Sequence, residues 1–123
     1  MGATAKSAHD IEYTNWLKKI DSYKAELTGM QKQLEQLLSA YYSKSLAARV
    51  EQFQNRFIRQ REVIDILRHD VKAHENDLQE LETKGNDSLR EKVKSIRWKL
   101  RDEVRTFKDL FVELERDFSD FLA

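Results

Sequence analysis

Between Leu46 and Leu81 a coiled-coil spacing of apolar residues is sustained for five heptads. Val50, Phe57, Ile64, Val71 and Leu78 recur every seven residues. Leu46, Phe53, Gln60, Leu67, His74 and Leu81 fill the alternate positions. Two of those alternates are polar, and polar seam residues commonly set register or oligomer state. A helix with one narrow apolar stripe is not stable alone in water. The rest of the chain is therefore expected to cover it.

The residues before it carry a second stripe. Tyr13, Ile20, Leu27, Leu34 and Tyr41 alternate with Trp16, Tyr23, Met30 and Leu37. Gly29 falls off this seam, which suits a tolerated surface position. A helix is predicted from a cap between Ser7 and Asp10 to Tyr41 or Tyr42. The stretch Tyr41-Tyr42-Ser43-Lys44-Ser45 lacks glycine and proline, so one continuous helix must be weighed. The phase of the seams argues against it. Extending the first series by sevens lands two residues away from the second. At about 100° per residue the stripe then faces the opposite side. A reversal at 43–45, with a serine N-cap, puts both stripes into one core.

The second reversal is clearer. Lys84-Gly85 fits a helix C-terminus with a left-handed glycine. Ser88 with Glu91 fits a capping box. Beyond it run Leu89, Val93, Ile96, Leu100, Val104, Phe107, Phe111, Leu114, Phe118 and Phe121. The spacing drifts from seven toward eleven, which reduces left-handed supercoiling. Glu103 lies on the stripe at the start of the drift, and Val104 is expected to turn inward in its place. The predicted fold is all-α: an antiparallel three-helix bundle of long coiled-coil-like helices over about 8–42, 44–84 and 88–122. Residues 1–123 form a single domain, with residues 1–7 expected to fray.

Composition narrows function. Lysine plus arginine equals aspartate plus glutamate at 22 each, so the basic footprint of a general nucleic-acid binder is missing. Cysteine is absent, which removes disulfides, thiolate nucleophiles and cysteine-bound metals and points to a cytoplasmic setting. No apolar run reaches the roughly 18 residues of a membrane span. No nucleophile elbow, P-loop, glycine-rich dinucleotide loop or zincin motif occurs, so no enzyme activity and no cofactor are expected.

The balanced charge conceals a polarity. Lys44, Arg49, Arg56, Arg59 and Arg61 crowd the start of the second helix, and Glu75, Asp77, Glu80 and Glu82 its end. The third helix repeats this, with Arg90 to Arg101 basic and Asp109 to Asp120 acidic. Each helix opposes its own macrodipole, but an antiparallel pair sets base against acid. Such exposed pairs are worth only about 0.2–1 kcal/mol each and set direction more than stability.

Two site readings follow. His69, Asp70, His74 and Glu75 form the one cluster that resembles a metal site. Di-metal bundles, however, take a Glu-x-x-His motif from each of two helices, and no glutamate stands three residues before either histidine. His74 is expected level with Tyr13 and near Trp98, hydrogen-bonded to the tyrosine. The second reading concerns aromatics. Phe107, Phe111, Phe118 and Phe121 are expected to meet Phe53, Phe57, Leu34, Leu37, Leu38 and Tyr41, in excess of what three helices can cover. Ile58, Phe111, Phe118 and Leu122 are the interface candidates. Off-seam Leu17, Leu38, Ile58, Val63 and Ile66 exceed the needs of a lone bundle, so self-association as a homodimer stands level with a monomer.

The runs Asn15-Trp16-Leu17, Val50-Glu51-Gln52-Phe53-Gln54-Asn55 and His69-Asp70-Val71-Lys72-Ala73-His74-Glu75, and the closing Phe121-Leu122, resemble those of small uncharacterised bacterial helical proteins. No activity is attached to that group. In packing the chain is also similar to spectrin-type three-helix bundles, with a tryptophan on the first helix (Trp16). The expectation is a structural or protein-interaction bundle, with a metal-binding helical protein as the alternative.

Overall fold

The computed structural model describes the backbone of residues 8–123 and the side chains of residues 11–123. The fraying expected of residues 1–7 and the cap expected between Ser7 and Asp10 lie outside the described residues and side chains. Three helices make up almost all of the described chain: α1 (Ala8–Ala40), α2 (Lys44–Lys84) and α3 (Asp87–Leu122). The described residues contain no strand.

Short capped reversals join the helices. Ser43 is extended, and its hydroxyl accepts from the Leu46 N–H at 3.1 Å, satisfying a first-turn donor of α2. At the other end Gly85 adopts φ 60°, and its N–H donates to the Leu81 carbonyl at 2.8 Å. This left-handed turn costs glycine nothing because it has no Cβ. The third helix starts earlier than the capping box suggests. Once Gly85 has turned the chain, Asn86 is the next extended residue, and its Oδ1 accepts from the Leu89 N–H at 2.7 Å. Asn86, not Ser88, is therefore the N-cap.

Cross-helix contacts give the directions. Asp21 meets Arg68 at 3.0 Å, Lys24 meets Asp65 at 3.3 Å, and Thr28 accepts from Arg61 at 3.2 Å. Partner numbers fall along α2 as they climb along α1, so the two helices run oppositely. Arg56 with Asp117 at 3.0 Å, and Asp77 with Lys92 at 4.0 Å, do the same for α2 and α3. Glu12 with Arg101, and Tyr23 against Phe107 and Phe111, set α1 and α3 in one direction. The central helix α2 thus runs against both neighbours.

Every a-position residue of α2 from Val50 to Leu78 is buried. So are Phe53, Leu67 and His74 of the alternate series, whereas Leu46, Gln60 and Leu81 are half-buried. These join Tyr13, Trp16, Ile20, Leu27, Met30 and Leu34 of α1 and Val93, Leu100, Phe107, Phe111, Leu114 and Phe118 of α3 in one core.

Four details differ from the sequence reading. Tyr41 and Tyr42 are exposed, because α1 ends at Ala40 and leaves both in the connection. The aromatics divide into two groups. Phe118 and Phe121 pack on Phe53, and Phe118 also on Phe57, while Phe107 and Phe111 pack on Tyr23 of α1. Glu103 and Val104 are both half-buried, so the drift turns neither fully inward. Trp98 points outward, with the Arg101 guanidinium 5.0 Å from its ring centre. Leu100 and Ile96, on the turns beside it, face inward instead.

Candidate functional site

An apolar concavity lies where α2 and α3 meet, away from α1. It is a groove of about 400 Å³ lined by Gln60, Val63, Ile66, Leu67, Phe107 and Leu110, with Arg59, Asp70, Asp102, Glu103 and Thr106 around it. No α1 residue lines it. Ile66 is 61% exposed and Leu110 49% exposed. The side-chain oxygen of Gln60 is buried without a hydrogen bond among the described residues. Two separate depressions also lie on the α2–α3 seam. One, toward the start of α2, is lined by Arg49, Gln52 and Arg56 facing Asp117 and Asp120. The other, toward the end of α2, is lined by Asp70, Ala73 and Asp77 facing Lys99 and shares Asp70 and Glu103 with the groove.

Helix geometry accounts for this face. Val63 follows Arg59 by four residues, Ile66 follows Val63 by three, and Asp70 follows Ile66 by four. That spacing keeps all four side chains on one stripe of α2. The stripe lies about a third of a turn from the buried seam of Phe57, Ile64 and Val71. α2 thus carries two apolar lines: the heptad seam in the core, and a short outer one in which Val63 is half-buried against the core and Ile66 is exposed.

The metal candidates are separated. His74 is buried and hydrogen-bonds Tyr13 through Nε2, with the two rings edge-on at 4.7 Å. The His69 side chain is 82% exposed on another face and meets only its neighbour Asp70, at 3.4 Å. Glu75 is half-buried. Among the described residues no three His, Cys, Asp or Glu side chains converge to hold a metal ion. Residues five apart on a helix point about 140° away from one another, which is why His69 and His74 do not meet.

The interface candidates also divide. Phe111 and Phe118 are 0% and 2% exposed. They are core residues rather than surface, because α3 turns them toward Tyr23 and toward Phe53 and Phe57. Ile58 is exposed beside Gln31 and Glu35, on the α1–α2 side. Leu122 is exposed at the last turn of α3. Val63 and Ile66 are legible in the sequence as surplus apolar residues, whereas Leu110 is not. The signal for Leu110 was its place next to Phe111, off the stripe that Phe107, Phe111 and Leu114 define.

A second electrostatic feature sits between α1 and α3. Burial raises the Glu115 carboxyl above its ordinary range, and the Glu26 carboxylate adds to this by charge and by a shared hydrogen bond. Burial, together with the same two acids, raises the Tyr23 hydroxyl. Opposing this, Arg101 donates to Glu12 at 2.9 Å across the same pair of helices.

No helix of the described residues is long and apolar enough to cross a membrane. No family model, curated protein or solved structure matches this chain.

Proposed function

We propose that the protein is a non-enzymatic helical module that acts by docking another protein chain along the outer α2–α3 groove. The observation that carries this reading is the apolar stretch of exposed Ile66 and Leu110 beside half-buried Val63, bordered by Arg59, Asp70 and Asp102. An apolar centre with a charged surround is the usual anatomy of a protein–protein contact. Ile66 in particular adds nothing to the core and exposes a large apolar side chain to water. The groove suits a helix, because Ile66 and Leu110 present an exposed apolar line between two side-by-side helices, α2 and α3, with charged groups beside it.

Site-specific photo-crosslinking in the native cell tests this reading. A photoreactive residue replaces Ile66, and in a second variant replaces exposed Lys32 of α1. A discrete adduct from position 66 and none from position 32 is the expected result. No adduct at 66, or the same adducts from both positions, would contradict the reading.

A further inference from the structure

We infer that the groove's occupant is a second copy of this chain, docked with its α2 antiparallel to α2 across a two-fold axis. The inference rests on the docking reading above and names its partner. A two-fold contact requires a surface that complements itself when reversed. The outer stripe of α2 does so. Arg59 and Asp70 stand equally far on either side of the point between Ile64 and Asp65, and Val63 and Ile66 do the same. Laid antiparallel about that point, Val63 meets Ile66 of the second copy. Arg59 meets Asp70 of the second copy, and both pairs recur on the other side of the axis. Within the chain Arg56 is held by Asp117, while Arg59 makes no ion pair among the described residues.

The wider charge of α2 agrees with this register. On the side of α2 next to α3, Arg49 and Arg56 also lie before the midpoint and Asp77 after it, with Arg56 and Asp77 held by Asp117 and Lys92 of α3. Reversal sets the basic end of this face along the acidic end of the other copy's. A parallel, in-register α2 pair would instead set Arg59 on Arg59 and Asp70 on Asp70. Charge therefore selects the antiparallel α2–α2 contact over the parallel one.

Sedimentation equilibrium over a concentration series tests the inference, on the full chain, with helicity measured alongside. The variants are Arg59→Asp, Asp70→Arg and the double reversal R59D/D70R. All three change exposed or half-buried groups outside the core, so folding is retained. The wild type is expected to dimerise. Each single reversal creates two like-charge contacts and weakens association by about tenfold or more, and the double reversal restores it to within about threefold. A wild type that stays monomeric overturns the inference, as does a dimer indifferent to the single reversals or not recovered by the double one. These failures are distinct from failure of the docking reading. A monomer in sedimentation with an Ile66 adduct to a different protein removes the second copy and keeps the groove, and loss of any Ile66-specific adduct removes the groove itself.

Discussion

His74 shows how one polar residue is accommodated in an apolar seam. It occupies a heptad position that would ordinarily take leucine, and Tyr13 supplies its hydroxyl from the facing helix. Removing that hydroxyl takes away the hydrogen bond made to the buried ring Nε2. Tyr13→Phe is therefore expected to lower unfolding free energy by about 1–3 kcal/mol, measured by urea denaturation. A neutral result would mean the bond contributes nothing net. Gly29 is the opposite case. A methyl group there would meet nothing within 4 Å, so Gly29→Ala gains helix propensity at no steric cost. An increase of about 0.5–1 kcal/mol in the same assay is expected, and a loss would show that the α1 backbone is approached more closely than the open space around Gly29 allows.

At the scale of the helices, the α1–α3 contact carries an electrostatic penalty. Glu115 has a carboxyl raised by burial and by Glu26. A carboxyl raised on folding favours the fold fully below its unfolded value, and that contribution is lost as pH rises through the raised folded value. Glu115→Gln removes the titration. The variant should gain stability over wild type progressively as pH climbs from about 4 to about 7. Urea midpoints across that range check it, and a pH-independent difference would refute it. The helices themselves were legible from periodicity, since a stripe five heptads long has few other solutions. The reversals were legible in part. Gly85 announced a left-handed turn, but which of Asn86 and Ser88 capped α3 depended on where the extended residue fell after it. Tyr41 satisfied the heptad spacing and still lies in solvent, because spacing does not say where a helix stops.

For the whole molecule, α2 is the central strut, and its two apolar lines have separate tasks. The buried line builds the bundle and the outer line forms the open groove with α3. Alternation of charge along α2 reads as pairing with α3 when only sequence is considered. In the fold Arg61 and Arg68 turn to α1 instead, Arg56 and Asp77 serve α3, and Arg59 and Asp70 border the groove. The candidate site was legible only as a surplus: Val63 and Ile66 stood out as apolar residues the seam did not need. Their union with Leu110 was not, because it depends on the rotation of α3 about its own axis, which a drifting repeat leaves open. The metal cluster looked contiguous along the chain, and helical rotation takes it apart.

The division of α2 into a buried line and an exposed line, on which the proposed docking rests, is tested most directly by two neighbouring isoleucines. Ile64 is 0% exposed and Ile66 is 61% exposed. Unfolding free energies of Ile64→Ala and Ile66→Ala should be measured by denaturant at a concentration low enough to keep the chain monomeric. A loss of about 2–5 kcal/mol for Ile64→Ala and of under about 1 kcal/mol for Ile66→Ala is the expected result. Comparable losses at the two positions would contradict it, because Ile66 would then belong to the core and the groove would not be a surface.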